Sequence, residues 1–217
     1  MIIIALADIH GNLDYLGGAR VVLGEADLVL VAGDLTNFGG AGKAKKILGL
    51  LRSCNERVYA IAGNCDLSAV DGFLTKEAVN LDCKFVEVDG VNFVGVSGSS
   101  SGCKIFSHKP DEERFAKAFE VIEGQISDGG FVLVTHQPAW GTSLDIAGSG
   151  QHAGSRAIKS FIERAKPMLA ISAHIHESPG VDSIGQTMLV NPGPFRNGSY
   201  AYIELSDKID KIEIRYC

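Results

Sequence analysis

Residues 58–68 read VYAIAGNCDLS, an apolar run that halts in an amide, a thiol and a carboxylate. A short Val- and Ile-rich run bounded by Gly reads as a buried strand of a parallel sheet. The same grammar recurs in IIIALA at 2–7, LVLVA at 28–32, FVLVT at 131–135 and MLAIS at 168–172. Between these runs, helical spacing falls at roughly 12–24, 41–52, 66–75, 111–127 and 154–166. Strands that alternate with helices make the fold class α/β. The helix near 111 opens on Asp111, Glu112 and Glu113 after Pro110, a composition suited to a helix amino terminus.

From about residue 83 the pattern changes to shorter strands joined by turns. KFVEVDGVNFVGVSG carries a hairpin signal at Asp89-Gly90. The tail YAYIELSDKIDKIEIRY alternates apolar and polar residues around a turn near Asp207, as an antiparallel pair over a core does. The expectation is two sheets, or one mixed sheet, flanked by helices. Neither a linker nor an internal repeat interrupts the chain, so residues 1–217 are expected to form a single domain.

Composition narrows the function classes. Twenty Lys and Arg against 26 Asp and Glu give a net charge of −6, with no basic block to suggest a nucleic-acid surface. The longest apolar runs are about seven residues, well short of the roughly 18 of a membrane span, and MIIIALADIH has no basic region before its apolar stretch. Cys54, Cys65, Cys83, Cys103 and Cys217 are odd in number and show no paired spacing, which suits a reducing, cytoplasmic setting. Nothing in the sequence indicates an oligomeric state.

Each buried run ends in residues able to bind metal or phosphate. They are Asp8-Ile9-His10, Gly33-Asp34, Gly63-Asn64-Cys65-Asp66, His136 and His174-Ile175-His176. Ligands of open α/β sheets sit beyond the carboxyl ends of the strands, so these residues should converge in one crevice. A spacing of two in an extended segment would aim Asp8 with His10, and His174 with His176, to one side. Singly, each has an ordinary structural reading as a helix cap, a loop histidine or a tight-turn glycine. That reading would have to apply five times over, with four of the chain's six histidines at strand ends.

Imidazoles, carboxylates and one amide oxygen suit manganese foremost, with zinc, iron, nickel or cobalt also matching. Seven such donors exceed one tetrahedral ion. Two divalent ions about 3.5–4 Å apart would use them all, in the clamp of in-line phosphoryl hydrolysis.

At these residues the chain resembles the calcineurin-like metallophosphoesterases, and a small prokaryotic phosphoesterase subgroup among them. The family's blocks Asp-x-His, Gly-Asp, Gly-Asn-His-Asp/Glu, His and Gly-His-x-His appear in order as DIH, GD, GNCD, TH and AHIH, from residue 8 to residue 176. THQPAWGTSLDIAGSGQHAGSRAIKSFIE, SAHIHES and VNPGP carry the subgroup likeness. The resemblance implies a four-layer α/β/β/α sandwich and a small phosphorylated substrate. It implies Asp8, His10 and His176 on one metal, Asn64, His136 and His174 on the other, and Asp34 bridging, with a metal-bridging hydroxide attacking phosphorus in line. Phosphodiesters are the preferred substrates. The alternatives are a phosphomonoesterase or nucleotide pyrophosphohydrolase with the same ions, or a non-catalytic interaction subunit of the kind the family also contains.

Two positions depart from the family pattern. Ala173 stands where Gly is usual, and Cys65 stands where many members carry a His that protonates the leaving group; some prokaryotic members that resemble this chain carry Cys and hydrolyse diesters. A thiol is a weak donor, and two nearby dications would favour its thiolate, so Cys65 is a poor acid substitute. It reads equally as a small strand-end residue. His152, in GSGQHAGS, is expected to line the substrate pocket from a lid, and His108 to lie at the rim. Asn12 reads as a phosphate contact or a helix cap, Arg156 as a solvated side chain, and Asp66 and Glu177 as supports for the ligands.

Overall fold

The computed structural model describes residues 1–98, 111–126 and 130–217. Its first sheet comprises β1 (Ile2–Leu6), β2 (Leu28–Ala32), β3 (Val58–Ile61), β10 (Ser199–Leu205) and β11 (Ile209–Tyr216), in the order β11-β10-β1-β2-β3. The second comprises β4 (Val86–Val88), β5 (Val91–Val96), β6 (Phe131–Thr135), β7 (Leu169–Ile171), β8 (Gly180–Ile184) and β9 (Thr187–Asn191), in the order β4-β5-β6-β7-β9-β8. Both sheets are mixed. β1, β2 and β3 run parallel while β10 and β11 pair antiparallel. In the second sheet β5, β6, β7 and β9 run parallel between antiparallel edges.

Side chains alternate across each strand, so every buried strand feeds two apolar layers. Ile4, Leu6, Val29 and Val31 pack with Ala19 and Leu23 of α1 (Leu16–Glu25), Leu48 and Leu51 of α2 (Ala41–Arg52) and Val70 and Leu74 of α3 (Ser68–Lys76). Their neighbours Ile3, Ala5, Leu28 and Leu30 turn the other way and meet Val132, Val134, Leu169 and Ile171 of the second sheet. That sheet's far face, with Val94, Val96 and Leu133, packs on Phe115 and Phe119 of α4 (Glu112–Glu123) and Ile158 and Phe161 of α5 (Arg156–Ala165). Helices therefore flank both sheets, as the alternating pattern predicts.

The last two helices hold each other. Asp111 accepts from Arg114 N at 3.1 Å and Ser155 from Ile158 N at 3.2 Å, each capping its own helix. The Glu112 carboxylate reaches across to the amino terminus of α5, accepting from Arg156 N at 3.0 Å and Ala157 N at 2.8 Å. The Phe119 and Phe161 rings stack with centroids 4.1 Å apart.

Both anticipated hairpins are present, with Asp89 at φ 50° and Gly90 at φ 83° in the first turn. The pair β8–β9 was not anticipated; Gly185, at φ 60°, makes its turn between Ile184 and Thr187. The first helix begins at Leu16 rather than near 12, because Asn12 Oδ1 accepts from Asp14 N at 2.8 Å and forms a turn there. His108, Pro110 and most of the Gly/Ser-rich loop at 97–109 lie outside the described residues. No helix among the described residues is long and apolar enough to cross a membrane.

Candidate metal centre

The parallel strands β1, β2, β3, β6 and β7 point their carboxyl ends to one region, where the two sheets are joined. His136, after β6, donates from Nδ1 to the Ala32 carbonyl at the end of β2 at 2.8 Å. Backbone bonds lace the neighbouring strand ends: His10 N donates to Asp34 O at 2.8 Å and Ala173 N to His136 O at 3.0 Å. His174 N donates to Asp8 Oδ2 at 3.2 Å. The fully buried Ala173 belongs to the inter-sheet core.

Strand alternation is not what gathers the side chains. Asp8, His10, Asp34 and His174 all have positive φ, at 51°, 48°, 51° and 69°. Left-handed backbone at non-glycine residues costs about 1–3 kcal/mol each and persists where the surroundings over-determine it. The extended-segment reading of Asp-x-His and His-x-His is therefore corrected: β1 ends at Leu6 and β7 at Ile171, and tight left-handed turns aim these residues. Gly63 has a close-approach reason as well, since a Cβ there would collide with the Asp34 carboxylate and its backbone nitrogen.

The side chains form a continuous cluster. Asp8 Oδ1 lies 3.3 Å from His176 Nε2, which is 3.4 Å from His10 Nε2. Asp34 Oδ1 accepts from Cys65 N at 2.7 Å, and Oδ2 faces His10 Nε2 at 3.7 Å and His136 Nε2 at 3.5 Å. Asn64 Oδ1 sits 2.9 Å from His136 Nε2, and the His136 and His174 rings meet edge to face at 5.1 Å. Ligand atoms of Asp8, His10 and His176 all lie within 4.8 Å of one another, as do those of Asp8, Asp34 and His136.

One feature marks a shortage of positive charge. Asp8 is 1% exposed, and its Oδ1 accepts no hydrogen bond from the described residues. His136 Nε2 faces two acceptors, Asn64 Oδ1 and Asp34 Oδ2. Burial opposes a charged His136, yet Asp34 beside it pushes its pKa up to about 9, so a proton occupies Nε2. Burial likewise opposes the Asp34 anion, but His136 and His10 outweigh it and hold that carboxyl below its usual range. His174, buried beside the His136 cation, is pushed down to about 4, and burial also lowers His10. The imidazoles of His10 and His174, lowered by burial, the orphaned Asp8 oxygen and the Asn64 amide oxygen form a donor set that fits divalent cations.

The supporting residues divide. Asp66 accepts from Leu35 N, Thr36 N, Thr36 Oγ1 and Gly63 N at 2.7–3.1 Å, bracing the loops that carry Asp34 and Asn64. Burial and Asp34 push it up to about 6. Glu177 is exposed beside Gly148 and makes no hydrogen bond to the cluster. Burial and then Asp34 raise the Cys65 thiol, so the chain's own groups keep it protonated, against the thiolate that dications would favour.

His152 is 42% exposed at its side chain and bonds through Nδ1 to Asp145 Oδ1 at 2.7 Å, within its own loop. Arg156 is not simply solvated, since its guanidinium stacks 3.8 Å from the Trp140 ring centroid. Asn12 serves its local turn, and among the described residues its Nδ2 reaches the Arg196 carbonyl alone, at 3.5 Å. Sequence reasoning missed Arg196. Its Nη2 donates to His176 Nδ1 at 3.1 Å from a short turn, Phe195–Asn197, after VNPGP; the turn's nearness to β1 was not readable from spacing.

Comparison with known proteins agrees with this architecture. The family model for calcineurin-like phosphoesterases matches residues 1–178. An uncharacterized protein of Methanocaldococcus jannaschii is 33% identical over 199 residues, covering 89% of this chain and 88% of that one. A solved structure from Thermus thermophilus shares the fold with a TM-score of 0.75 at 17% identity, over 99% of this chain and 98% of the other. A structure described as a novel archaeal phosphodiesterase does so with a TM-score of 0.54 at 15% identity, over 100% of each chain.

Proposed function

The chain belongs to the calcineurin-like phosphoesterase family of metal-dependent phosphoester hydrolases, and from that premise we propose that it hydrolyses phosphodiesters at a dinuclear centre. Asp8, His10 and His176 would hold one divalent cation, Asn64, His136 and His174 the other, and Asp34 would be shared. Manganese is the first candidate and zinc, iron, nickel and cobalt suit the same donors. The observation that carries this reading is the buried Asp8 Oδ1, which accepts no hydrogen bond from the described residues and lies 3.3 Å from His176 Nε2 and 3.9 Å from His10 Nε2.

Bound cations supply charge neutralisation at phosphoryl oxygens and a water nucleophile active near neutral pH. The chain's own residues do the positioning. Asp34 is pinned through Oδ1 by Cys65 N, which leaves Oδ2 between His10 and His136, one from each ligand group. The His136 Nδ1–H bond to Ala32 O fixes the tautomer whose Nε2 lone pair points into the centre once its proton is lost.

Diesters are preferred for two reasons. Cys65, kept protonated and a weak donor, gives little help to a poor leaving group. Arg196 is the one permanent cation among the described residues in contact with the candidate ligands, so little charge beyond the metals is available for a doubly charged monoester. The structural likeness to an archaeal protein described as a phosphodiesterase supports this choice. The test is hydrolysis of an aryl phosphodiester and an aryl phosphomonoester by metal-stripped protein with manganese restored. Manganese-dependent cleavage favouring the diester is expected. Monoester preference would overturn the substrate class, and folded protein inactive with every cation would point to an interaction subunit.

A further inference from the structure

Arg196 and the proposed cation compete for one imidazole. The guanidinium has only donors, so its contact with His176 Nδ1, at 3.1 Å, requires that nitrogen to accept. The ring proton of His176 then resides on Nε2, directed at His10 Nε2 3.4 Å away and not at Asp8 Oδ1, which accepts no hydrogen bond from the described residues. A cation held among Asp8, His10 and His176 needs the Nε2 lone pair, and so requires the proton on Nδ1. A protonated Nδ1 and the guanidinium would set donor against donor. Exchange of partners therefore moves the ring proton from Nε2 to Nδ1, with one proton released to solvent and one taken up.

The backbone beneath Arg196 holds its place. Phe195 N donates to Ala7 O at 2.8 Å and Arg196 N to Asp8 O at 3.4 Å, with the Phe195 ring fully buried. A side chain displaced from His176 therefore stays tethered at the first ligand group, half-buried and without that acceptor.

Resting on the dinuclear reading above, we propose that Arg196 is a metal-displaced arginine: it plugs the cation-free site through His176 Nδ1, and cation binding releases its guanidinium to bind a phosphoryl oxygen of the substrate. The acceptor is an anionic oxygen that a planar, donor-only guanidinium suits.

The test compares wild type, Arg196→Gln and Arg196→Lys. Zinc affinity is measured by chelator competition, the ring nitrogens of His176 are followed by 15N NMR with and without zinc, and inhibition by inorganic phosphate is measured in the manganese-loaded protein. Arg196→Gln, whose amide oxygen can accept from Nδ1–H, should bind zinc about threefold to tenfold more tightly and phosphate about tenfold more weakly. Arg196→Lys, still donor-only, should keep zinc affinity near wild type. The His176 proton should move from Nε2 to Nδ1 on zinc loading. Unchanged or weaker zinc affinity in Arg196→Gln, or a proton on Nδ1 before loading, overturns the displacement, and unchanged phosphate inhibition overturns the substrate contact. Wild type that takes up no cation would overturn the dinuclear reading instead.

Discussion

Asp8 and Asp145 are both buried carboxylates, 1% and 0% exposed, and their surroundings are opposites. Asp145 is saturated by its own loop, accepting from Gly141 N, Thr142 N, Gly154 N and His152 Nδ1 at 2.7–3.1 Å. Asp8 receives His174 N on Oδ2 and, among the described residues, nothing on Oδ1. A buried anion that the chain satisfies is structural; one it leaves open is built for something that arrives from outside.

This comparison can be broken by mutation. Asp8→Asn is expected to lower manganese-dependent phosphodiesterase activity by about a thousandfold. Its metal-free thermal stability should hold or rise, because an uncompensated buried charge is removed. A metal-free protein that unfolds on Asp8→Asn would place Asp8 with Asp145 as a structural group. Asp145→Asn is expected to do the reverse. Placing an amide NH2 where Oδ2 accepts from Gly141 N and Gly154 N, or where Oδ1 accepts from Thr142 N and His152 Nδ1, sets donor against donor on either side; it should cost about 3 kcal/mol, read as a fall of roughly 6–12 °C in Tm, while metal uptake by the folded fraction persists. Loss of metal binding with unchanged Tm would erase the distinction.

Metal addition sharpens the same contrast more gently. Manganese at about a hundred times its Kd should stabilise wild type by about 2.7 kcal/mol, with the gain kept in Asp145→Asn and reduced in Asp8→Asn, as seen by differential scanning calorimetry. The smallest effect expected is at Cys65. Cys65→His should raise turnover of esters with alkoxide leaving groups about tenfold, short of the roughly 10²–10⁴ of a fully positioned general acid, and leave aryl diesters nearly unchanged. An equal rise for both would mean that the thiol limits something other than leaving-group protonation.

Much of this was legible in the sequence because buried parallel strands announce themselves as apolar runs and their ends as abrupt polarity. LVLVA and FVLVT coincide with β2 and β6 to the residue. The hairpin β8–β9 escaped because its polar outward positions and Gly185 read as loop. The convergence of Asp8, Asp34, His136 and His176 was readable from strand ends, but its means was not: positive φ at Asp and His leaves no spacing signature. Nor could spacing show that Arg196 returns to the first strand, since that closure depends on β10 pairing antiparallel to β1. Trp140 under Arg156 was hidden for the same reason, being a contact between a loop and a helix turn.

The most direct measurement is the metal stoichiometry of metal-stripped, folded protein titrated with manganese, for wild type and Asp34→Asn. Two equivalents in wild type and no more than one in Asp34→Asn are predicted, because Asp34 Oδ2 lies between the histidines of both ligand groups. A single equivalent in both proteins, or none in wild type, would contradict the dinuclear centre.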